Sequence, residues 1–209
     1  MDKNLLVQRI ESYRFFSYMF FTLPNTDFVN KMLTLYRDDE QLDEGSSLLK
    51  QYVMQNKDAD REKLALDLAV DKTRLFHGLT QQGPRPPFES LYLSLLPQEA
   101  IGSLNRAYAA EGLSLDTDCN EPSDYIGVEI IFLQYLCEQE LEAIEDDDFE
   151  QSAAWFAKQA EFFNTHLGLW ATELAEEILK FAQTDFYRAI ALMLRDFVTE
   201  EAQRFEPGS

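Results

Sequence analysis

Apolar residues recur at helical spacing through almost the whole chain, and this feature constrains the fold most. Leu6, Ile10, Tyr13, Phe16 and Phe20 follow one another at intervals of three or four residues, which places them on one face of an α-helix. No segment shows the strict alternation of apolar and polar residues that a half-buried strand requires. The sequence therefore predicts an all-α protein, a bundle of about nine to ten helices with no sheet.

Helix boundaries are predicted from proline, glycine and capping residues. Pro24 ends the first helix, Thr26 is the expected N-cap of the second, and Pro122 suits the first turn of a long helix. In the fourth helix the polar face is predicted to carry Asp67, Asp71 and Lys72. The periodicity predicts further helices over 26–36, 48–53, 64–76, 97–111, 122–141, 152–165, 169–182 and 184–198.

One segment interrupts the helices strongly enough to affect domain organisation. Residues 78–88 contain five Gly or Pro in eleven positions, and proline removes a backbone donor and collides with the preceding turn. No internal repeat or low-complexity tract is present. We therefore expect a single domain over residues 1–205, with 78–88 as a Gly/Pro loop and candidate hinge, and a disordered tail over 206–209.

The charge balance excludes several classes of protein. The chain has 18 Lys and Arg against 38 Asp and Glu, a net charge of −20. Nucleic acids and anionic membrane surfaces require clustered basic residues, so neither is an expected partner, whereas a cationic partner is favoured. No apolar stretch is long enough to span a bilayer. The two cysteines form no CxxC pair, which fits a reducing compartment, and we expect a cytoplasmic protein.

The acidic residues are unevenly distributed. Between Ala107 and Ala157 there is no Lys, Arg or His, and there are 14 Asp or Glu, eight of them between Glu138 and Glu150. One interpretation is a solvated face with a turn between two helices. The other is an electrostatic field that attracts a basic ligand, assisting encounter more than affinity.

Signatures of catalysis are missing from the sequence. There is no GxSxG and no HExxH, and Gly78 and Gly83 have P-loop spacing without the required Lys and Ser/Thr. His77 and His166 lack the Glu-x-x-His pattern of a di-iron bundle, so we expect them to act as local hydrogen-bonding residues. The sequence predicts a protein that is not an enzyme and has no metal or cofactor of its own.

Two further segments carry residue types suited to peptide binding. The proline-rich loop ends in Phe88, and a second segment contains Asp124 and Glu129, which we expect in the first two turns of the long helix. Asp124 is interpreted either as a helix-capping residue or as a carboxylate at the mouth of a groove. In the second case proline-stiffened backbone and aromatic rings form the apolar wall beside it.

These segments resemble the TorD/DmsD family of cytoplasmic chaperones for molybdenum-cofactor oxidoreductases. Arg-Leu-Phe at 74–76 precedes a Gly-containing loop. Residues 86–92 (Pro-Pro-Phe-Glu-Ser-Leu-Tyr) are similar to the family's Pro-Pro-aromatic-Glu-Ser-x-Tyr, and residues 121–129 (Glu-Pro-Ser-Asp-Tyr-Ile-Gly-Val-Glu) to its Glu-Pro-x-Asp-His-(Ile/Leu)-x-x-Glu. His166, Leu167 and Trp170 give a fainter match. Tyr125 stands where the family usually has His.

The resemblance implies an all-helical chaperone that binds the twin-arginine leader, and the apo form, of a molybdoenzyme catalytic subunit. Such a chaperone supports insertion of the molybdenum cofactor and prevents premature export. The leader-contacting candidates that it implies are Leu75, Phe76, Pro86, Pro87, Phe88, Glu89, Ser90, Tyr92, Glu121, Asp124 and Tyr125.

Two alternative functions stay open at this point. One is an accessory protein that handles a nucleotide or molybdopterin, which the net charge of −20 opposes. The other is a general helical adaptor with no leader involved. The sequence names neither the client reductase nor the oligomeric state, which is a monomer or a homodimer, including a domain-swapped form.

Overall fold

The fold is described here from a computed structural model, which covers residues 3–34, 42–78 and 83–206. These residues contain no β-strand, and their one departure from helix and loop is an isolated bridge between Phe88 and Tyr125. The all-α prediction is therefore confirmed. The helices are α1 (Lys3–Phe21), α2 (Thr26–Thr34), α3 (Glu44–Asn56), α4 (Arg61–Phe76), α5 (Glu89–Tyr92), α6 (Pro97–Ala110), α7 (Ile126–Glu145), α8 (Phe149–Thr165), α9 (Ala171–Phe181) and α10 (Asp185–Arg204), with a 3-10 turn at Leu167–Leu169.

The chain is organised into two compact units. The first takes the described residues of Met1–Phe21, Pro87–Ala171 and Glu200–Ser209, and the second those of Thr22–Pro86 and Thr172–Thr199. One boundary falls between Pro86 and Pro87, inside the predicted Gly/Pro loop. The single-domain organisation and the hinge stay predictions. Residues 79–82 of that loop, 35–36 of the second predicted helix and 207–209 of the predicted tail lie outside the described residues.

The first unit is built around α7, which is covered on two sides by α1 and α8. Buried residues occur all round α7, including Ile126, Ile130, Leu133 and Leu136. A helix that is apolar on more than one face must be covered by more than one neighbour. This requirement fixes α7 in the middle of the unit.

A buried ionic network joins α1 to the C-terminal part of α10 in the same unit. The guanidinium of Arg9 donates through Nε and Nη2 to the two carboxylate oxygens of Glu201, at 2.7 and 2.6 Å. The Tyr13 hydroxyl donates to the same carboxylate at 2.6 Å. All three side chains are buried, so the network satisfies polar groups that would otherwise be costly in the core.

The second unit contains an aromatic cluster and a close approach of two helices. The Phe186 ring lies 5.7 Å from Phe28 and 5.9 Å from Tyr52. Gly45 of α3 lies so close to α10 that an added Cβ would come within 2.8 Å of the Met193 backbone nitrogen. Glycine permits this approach because it has no Cβ.

The second unit also corrects the predicted polar face of α4. Of the three residues predicted on this face, Asp67 is exposed, whereas Asp71 and Lys72 are buried. Asp71 accepts hydrogen bonds from the backbone N–H groups of Gln183 and Thr184 just before α10 begins, and Lys72 donates to the carbonyl of Thr22. These partners lie far away in sequence, so helical periodicity alone cannot reveal them.

Two predicted helix starts also change. Asn25, and not Thr26, caps α2, because its side-chain oxygen accepts the Phe28 N–H at 2.8 Å. The long helix begins at Ile126 and not at Pro122. None of the helices in the part of the chain that the structure describes is both long and apolar enough to cross a membrane.

Candidate functional site

The two motifs that suggested peptide binding are paired with each other in the first unit. The Glu89 N–H donates to the carbonyl of Asp124 at 2.9 Å, and the Ile126 N–H donates to the carbonyl of Pro87 at 3.0 Å. Phe88 and Tyr125 lie opposite each other in this bridge, with ring centroids 5.7 Å apart. We call residues 87–92 and 121–126 the motif pair.

This pairing explains why α7 starts late. Tyr125 has extended backbone angles, φ −76° and ψ 132°, which the bridge requires and a helix does not allow. Asp124 therefore precedes α7 and does not lie in its first turn, whereas Glu129 does. The placement of Asp124 within the helix was wrong, because a long-range backbone pairing overrides the local preference of Pro122.

The polar side chains of the motif pair are largely engaged inside the unit. The Ser90 hydroxyl donates to the Asp124 carboxylate at 2.7 Å, and Asp124 is only 2% exposed. The Tyr125 hydroxyl donates to the carbonyl of Phe20 at 2.8 Å. Burial raises the pKa of the Tyr125 phenol, with the nearby Glu121 carboxylate adding to the shift. Tyr125 thus anchors the motif pair to the end of α1.

Two further carboxylates of the site are buried, Glu89 within the motif pair and Glu129 in α7. Both oxygens of Glu89 lie 3.1 Å from Nδ1 of His166, and Glu129 is 0% exposed. The Trp170 indole N–H donates to Glu129 Oε2 at 3.4 Å, while Oε1 has no hydrogen-bond partner among the described residues. Burial, reinforced by Glu89, raises the pKa of Glu129 well above its ordinary value, and the Trp170 hydrogen bond only partly opposes this.

We expect Glu129→Gln to stabilise the protein near neutral pH. A carboxyl group whose pKa is higher in the folded than in the unfolded state binds more protons when folded. Its contribution to the free energy of unfolding therefore falls as pH rises from about 4.5, the ordinary value, toward the raised folded value. Urea unfolding from pH 4 to pH 8 should show the variant gaining stability over the parent as pH rises, and no gain at pH 4.

The matched control for this measurement is Glu138→Gln, on the same helix but partly exposed. It should leave the slope of stability against pH nearly unchanged. If the stability of Glu129→Gln runs parallel to that of the parent chain across this pH range, Glu129 has the same protonation in the folded and the unfolded protein, and the prediction is wrong.

The eleven leader-contacting candidates are divided between the two units. Leu75, Phe76 and Pro86 belong to the second unit, and the other eight candidates to the first. Leu75 and Phe76 are buried, and Tyr92 is buried against the Trp170 ring, 5.1 Å between centroids. The candidates with partly exposed side chains are Pro86, Phe88 and Glu121. The candidate contacts stay predictions.

His166, Glu129 and Trp170 form the part of the site that the sequence did not assign. His166 was expected to make a hydrogen bond, and it does so, but with a carboxylate 77 positions away. Trp170 follows a 3-10 turn that directs its indole toward α7. The available signal was the fainter motif of His166, Leu167 and Trp170. Within the described ranges, no three His, Cys, Asp or Glu side chains are grouped to hold a metal ion.

The acidic run has the geometry of a turn between helices. The Asp148 side chain accepts the Gln151 N–H at 3.0 Å and caps α8, while Asp147 takes a left-handed φ of 58°. Two acidic residues of this stretch have basic partners on α1, Glu145 with Lys3 and Glu138 with Arg14. Such exposed pairs stabilise little, so most of the negative charge still acts on approaching ligands.

Comparison with known proteins identifies the family. Residues 37–176 match the sequence model described as nitrate reductase delta subunit. The chain belongs to the nitrate reductase delta subunit family. A protein named Chaperone protein TorD from Vibrio parahaemolyticus serotype O3:K6 is 28% identical over 145 residues, covering 68% of this chain and 66% of the relative.

Other relatives have the same name. Chaperone protein TorD from Vibrio cholerae serotype O1 is 26% identical over 151 residues, covering 70% of this chain and 66% of the relative. The corresponding protein of Aliivibrio fischeri is 26% identical over 141 residues, 66% of this chain and 64% of the relative. The chain spans just under two thirds of the length of these relatives. The TorD-like resemblance of the motifs is confirmed.

Proposed function

We propose that this protein is a cytoplasmic maturation chaperone for a molybdenum-cofactor oxidoreductase. It binds the twin-arginine leader and the apo catalytic subunit, supports cofactor insertion and delays export until the subunit is complete. The observation that carries the proposal is the match to relatives that are named chaperones. The family model covers both halves of the motif pair. No catalytic role is assigned to the chain.

The charge of the protein supports a cationic ligand of this kind. A twin-arginine leader combines two guanidinium groups with an apolar segment, and guanidinium forks pair bidentately with carboxylates. The net charge of −20 attracts such a peptide over a distance of about one Debye length, roughly 8 Å at physiological salt. Long-range attraction of this type raises the association rate more than the affinity.

The burial of the motif pair suggests different roles for its two carboxylates. Glu121 is partly exposed, so we assign it the direct contact with a guanidinium. Asp124 is buried and holds Ser90, and we assign it a supporting negative charge beneath the surface. Phe88, also partly exposed and packed against Tyr125 with the two rings tilted by 51°, provides apolar surface for the leader.

The test is a calorimetric titration with a synthetic twin-arginine leader at two salt concentrations. We expect Glu121→Gln to weaken leader binding about tenfold or more, because a hydrogen bond to a charged group contributes about 1.5–3 kcal/mol. Asp124→Asn should weaken binding by a smaller factor, because its charge acts from beneath the surface. Both variants should lose less affinity than the parent chain when salt is raised, since one screened attraction has been removed. Replacing both arginines of the peptide by lysine should weaken binding to the parent chain, because lysine cannot pair bidentately.

Two matched controls separate the motif pair from general electrostatics. Asp146→Asn removes one negative charge from the exposed acidic run and should change affinity far less than Asp124→Asn. Phe88→Ala should weaken binding with the fold intact, while Phe149→Ala, which truncates a phenylalanine that is 68% exposed on α8, should not. If the two Asp variants change leader affinity equally, the motif pair contributes only nonspecific electrostatic attraction, and the proposed contact is wrong.

A second experiment addresses the client. The protein, purified from its native cytoplasm at low salt, should carry a reductase catalytic subunit that lacks its molybdenum cofactor. In a strain without the protein, that reductase should accumulate with less cofactor. Full cofactor loading in that strain would argue against a role in maturation even if the leader binds.

A further inference from the structure

Helices α6, α7 and α8 of the first unit enclose a cleft of about 430 Å³. This volume lies within the range of small-molecule and side-chain binding sites, roughly 300–1,000 Å³. Its apolar wall is formed by Phe132 and Leu136 of α7 and Phe162 of α8, and the Phe132 and Phe162 rings lie 4.7 Å apart. The cleft is therefore large enough for one apolar side chain with its attached backbone.

One basic side chain at this cleft has no ion-pair partner among the described residues. Arg106 is exposed on α6 and lines the cleft, and it makes no ion pair with any residue that the structure describes. The other cation, Lys158, is held at 2.6 Å by Glu111 and lies 4.1 Å from the centre of the Trp155 ring. Arg106 thus offers its planar set of N–H donors to a ligand.

A buried histidine provides the second polar group. His166 is 6% exposed and lines the cleft. Its Nδ1 atom lies 3.1 Å from each oxygen of the buried Glu89, so the carboxylate accepts the Nδ1–H and fixes the tautomer. In the neutral imidazole Nε2 is then an acceptor, and none of the described residues hydrogen-bonds to it. Nε2 is not one of the buried atoms that lack a partner, and His166 lines the cleft. A ligand N–H in the cleft can therefore donate to it.

We propose that this cleft binds an N-acylated amino acid with an apolar side chain, either as a free small molecule or as the C-terminal residue of a peptide. The carboxylate pairs with Arg106, the amide N–H donates to Nε2 of His166, and the apolar side chain packs on Phe132 and Phe162. Glu161 is exposed on the rim. Its negative charge disfavours any ligand whose carboxylate does not pair with Arg106. The site uses none of the leader-contacting candidates except Glu89, through His166.

The probe is N-acetyl-L-phenylalanine, with N-acetyl-L-phenylalaninamide as the uncharged control. The chain has two histidines, so imidazole NMR signals report the site directly, with His77 of the second unit as the internal reference. We expect saturable shifts of the His166 signals with the acid, at least about tenfold weaker binding of the amide, and no shift of His77.

The decisive variant is Arg106→Gln, which should weaken binding of the acid about tenfold, to the level of the amide. Arg14→Gln removes the same charge from an exposed position on α1 and should leave binding unchanged. Because Arg106 is exposed, its loss does not endanger the fold. Equal affinity for acid and amide, an Arg106→Gln variant with parental affinity, or shifts of His77 in place of His166 would each overturn the proposal.

The source of the ligand is resolved by comparing N-acetyl-L-phenylalanine with a short acetylated peptide that ends in Phe with a free carboxylate. Tighter binding of the peptide assigns the cleft to a peptide C-terminus. Binding of the single residue alone assigns it to a small molecule. In both cases the affinity must depend on Arg106.

Discussion

Glu201→Ala is expected to lower the free energy of unfolding by about 3–5 kcal/mol, the usual cost of removing one partner from a buried ion pair. Glu201 is 1% exposed and receives two hydrogen bonds from Arg9, itself 5% exposed, and one from Tyr13. Without Glu201, the Arg9 guanidinium stays buried with its nearest remaining carboxylate, Glu140, at 3.9 Å. Urea unfolding followed by circular dichroism measures the loss.

The neighbouring residue provides the control. Glu200 is exposed on the same helix, so Glu200→Ala should change stability by less than about 0.5 kcal/mol. A double variant, Arg9→Met with Glu201→Leu, should lose less stability than Glu201→Ala, because it removes the stranded charge and fills the space with apolar groups. Similar losses for Glu200→Ala and Glu201→Ala would show that the network is not formed in solution.

Asp71→Ala is expected to cost the second unit about 3 kcal/mol or more, since several donors lose one shared acceptor. The Asp71 carboxylate accepts the backbone N–H of Gln183 at 3.0 Å, and the N–H and the hydroxyl of Thr184 at 2.8 Å each. It also pairs with Arg74 at 2.7 Å. The variant therefore weakens the start of α10 and leaves the partly buried Arg74 guanidinium without its carboxylate partner. Thermal unfolding should show the loss.

Asp67 is the matched control because it lies one turn earlier on α4 and is exposed. Asp67→Ala should have little effect on stability. Hydrogen exchange gives a second, local measurement. In the Asp71 variant the amides of Gln183 and Thr184 should exchange much faster than in the parent chain, and unchanged protection at both amides would contradict the assigned role.

Asp71 and Lys72 illustrate the limit of reasoning from helical periodicity. Periodicity reports which positions share a helix face, and both residues lie beside polar neighbours such as Asp67. Whether that face is solvated depends on what packs against it. In this protein the segment before α10 covers Asp71, and Lys72 donates a hydrogen bond to the carbonyl of Thr22.

The start of α7 shows the same competition within the candidate site. Pro122 favours a helix start, and the prediction of a long helix there was correct except for its first four residues. The bridge between Phe88 and Tyr125 requires extended backbone, and its partner is 37 positions away. The motifs thus pointed to two segments that pair with each other in the structure, while that pairing and the burial of Asp124 required the fold.

By itself the sequence determined the helical class of this protein, its strong negative charge and the motifs that place it in its family. These properties follow from local spacing, composition and residue order, which do not depend on distant partners. Only the tertiary structure decided which polar residues are buried, how Glu89 and His166 meet, and that Arg106 and the Nε2 atom of His166 share one cleft. Each of those outcomes depends on contacts between segments far apart in the chain, because burial and pairing are set by what packs against a residue and not by its own neighbours.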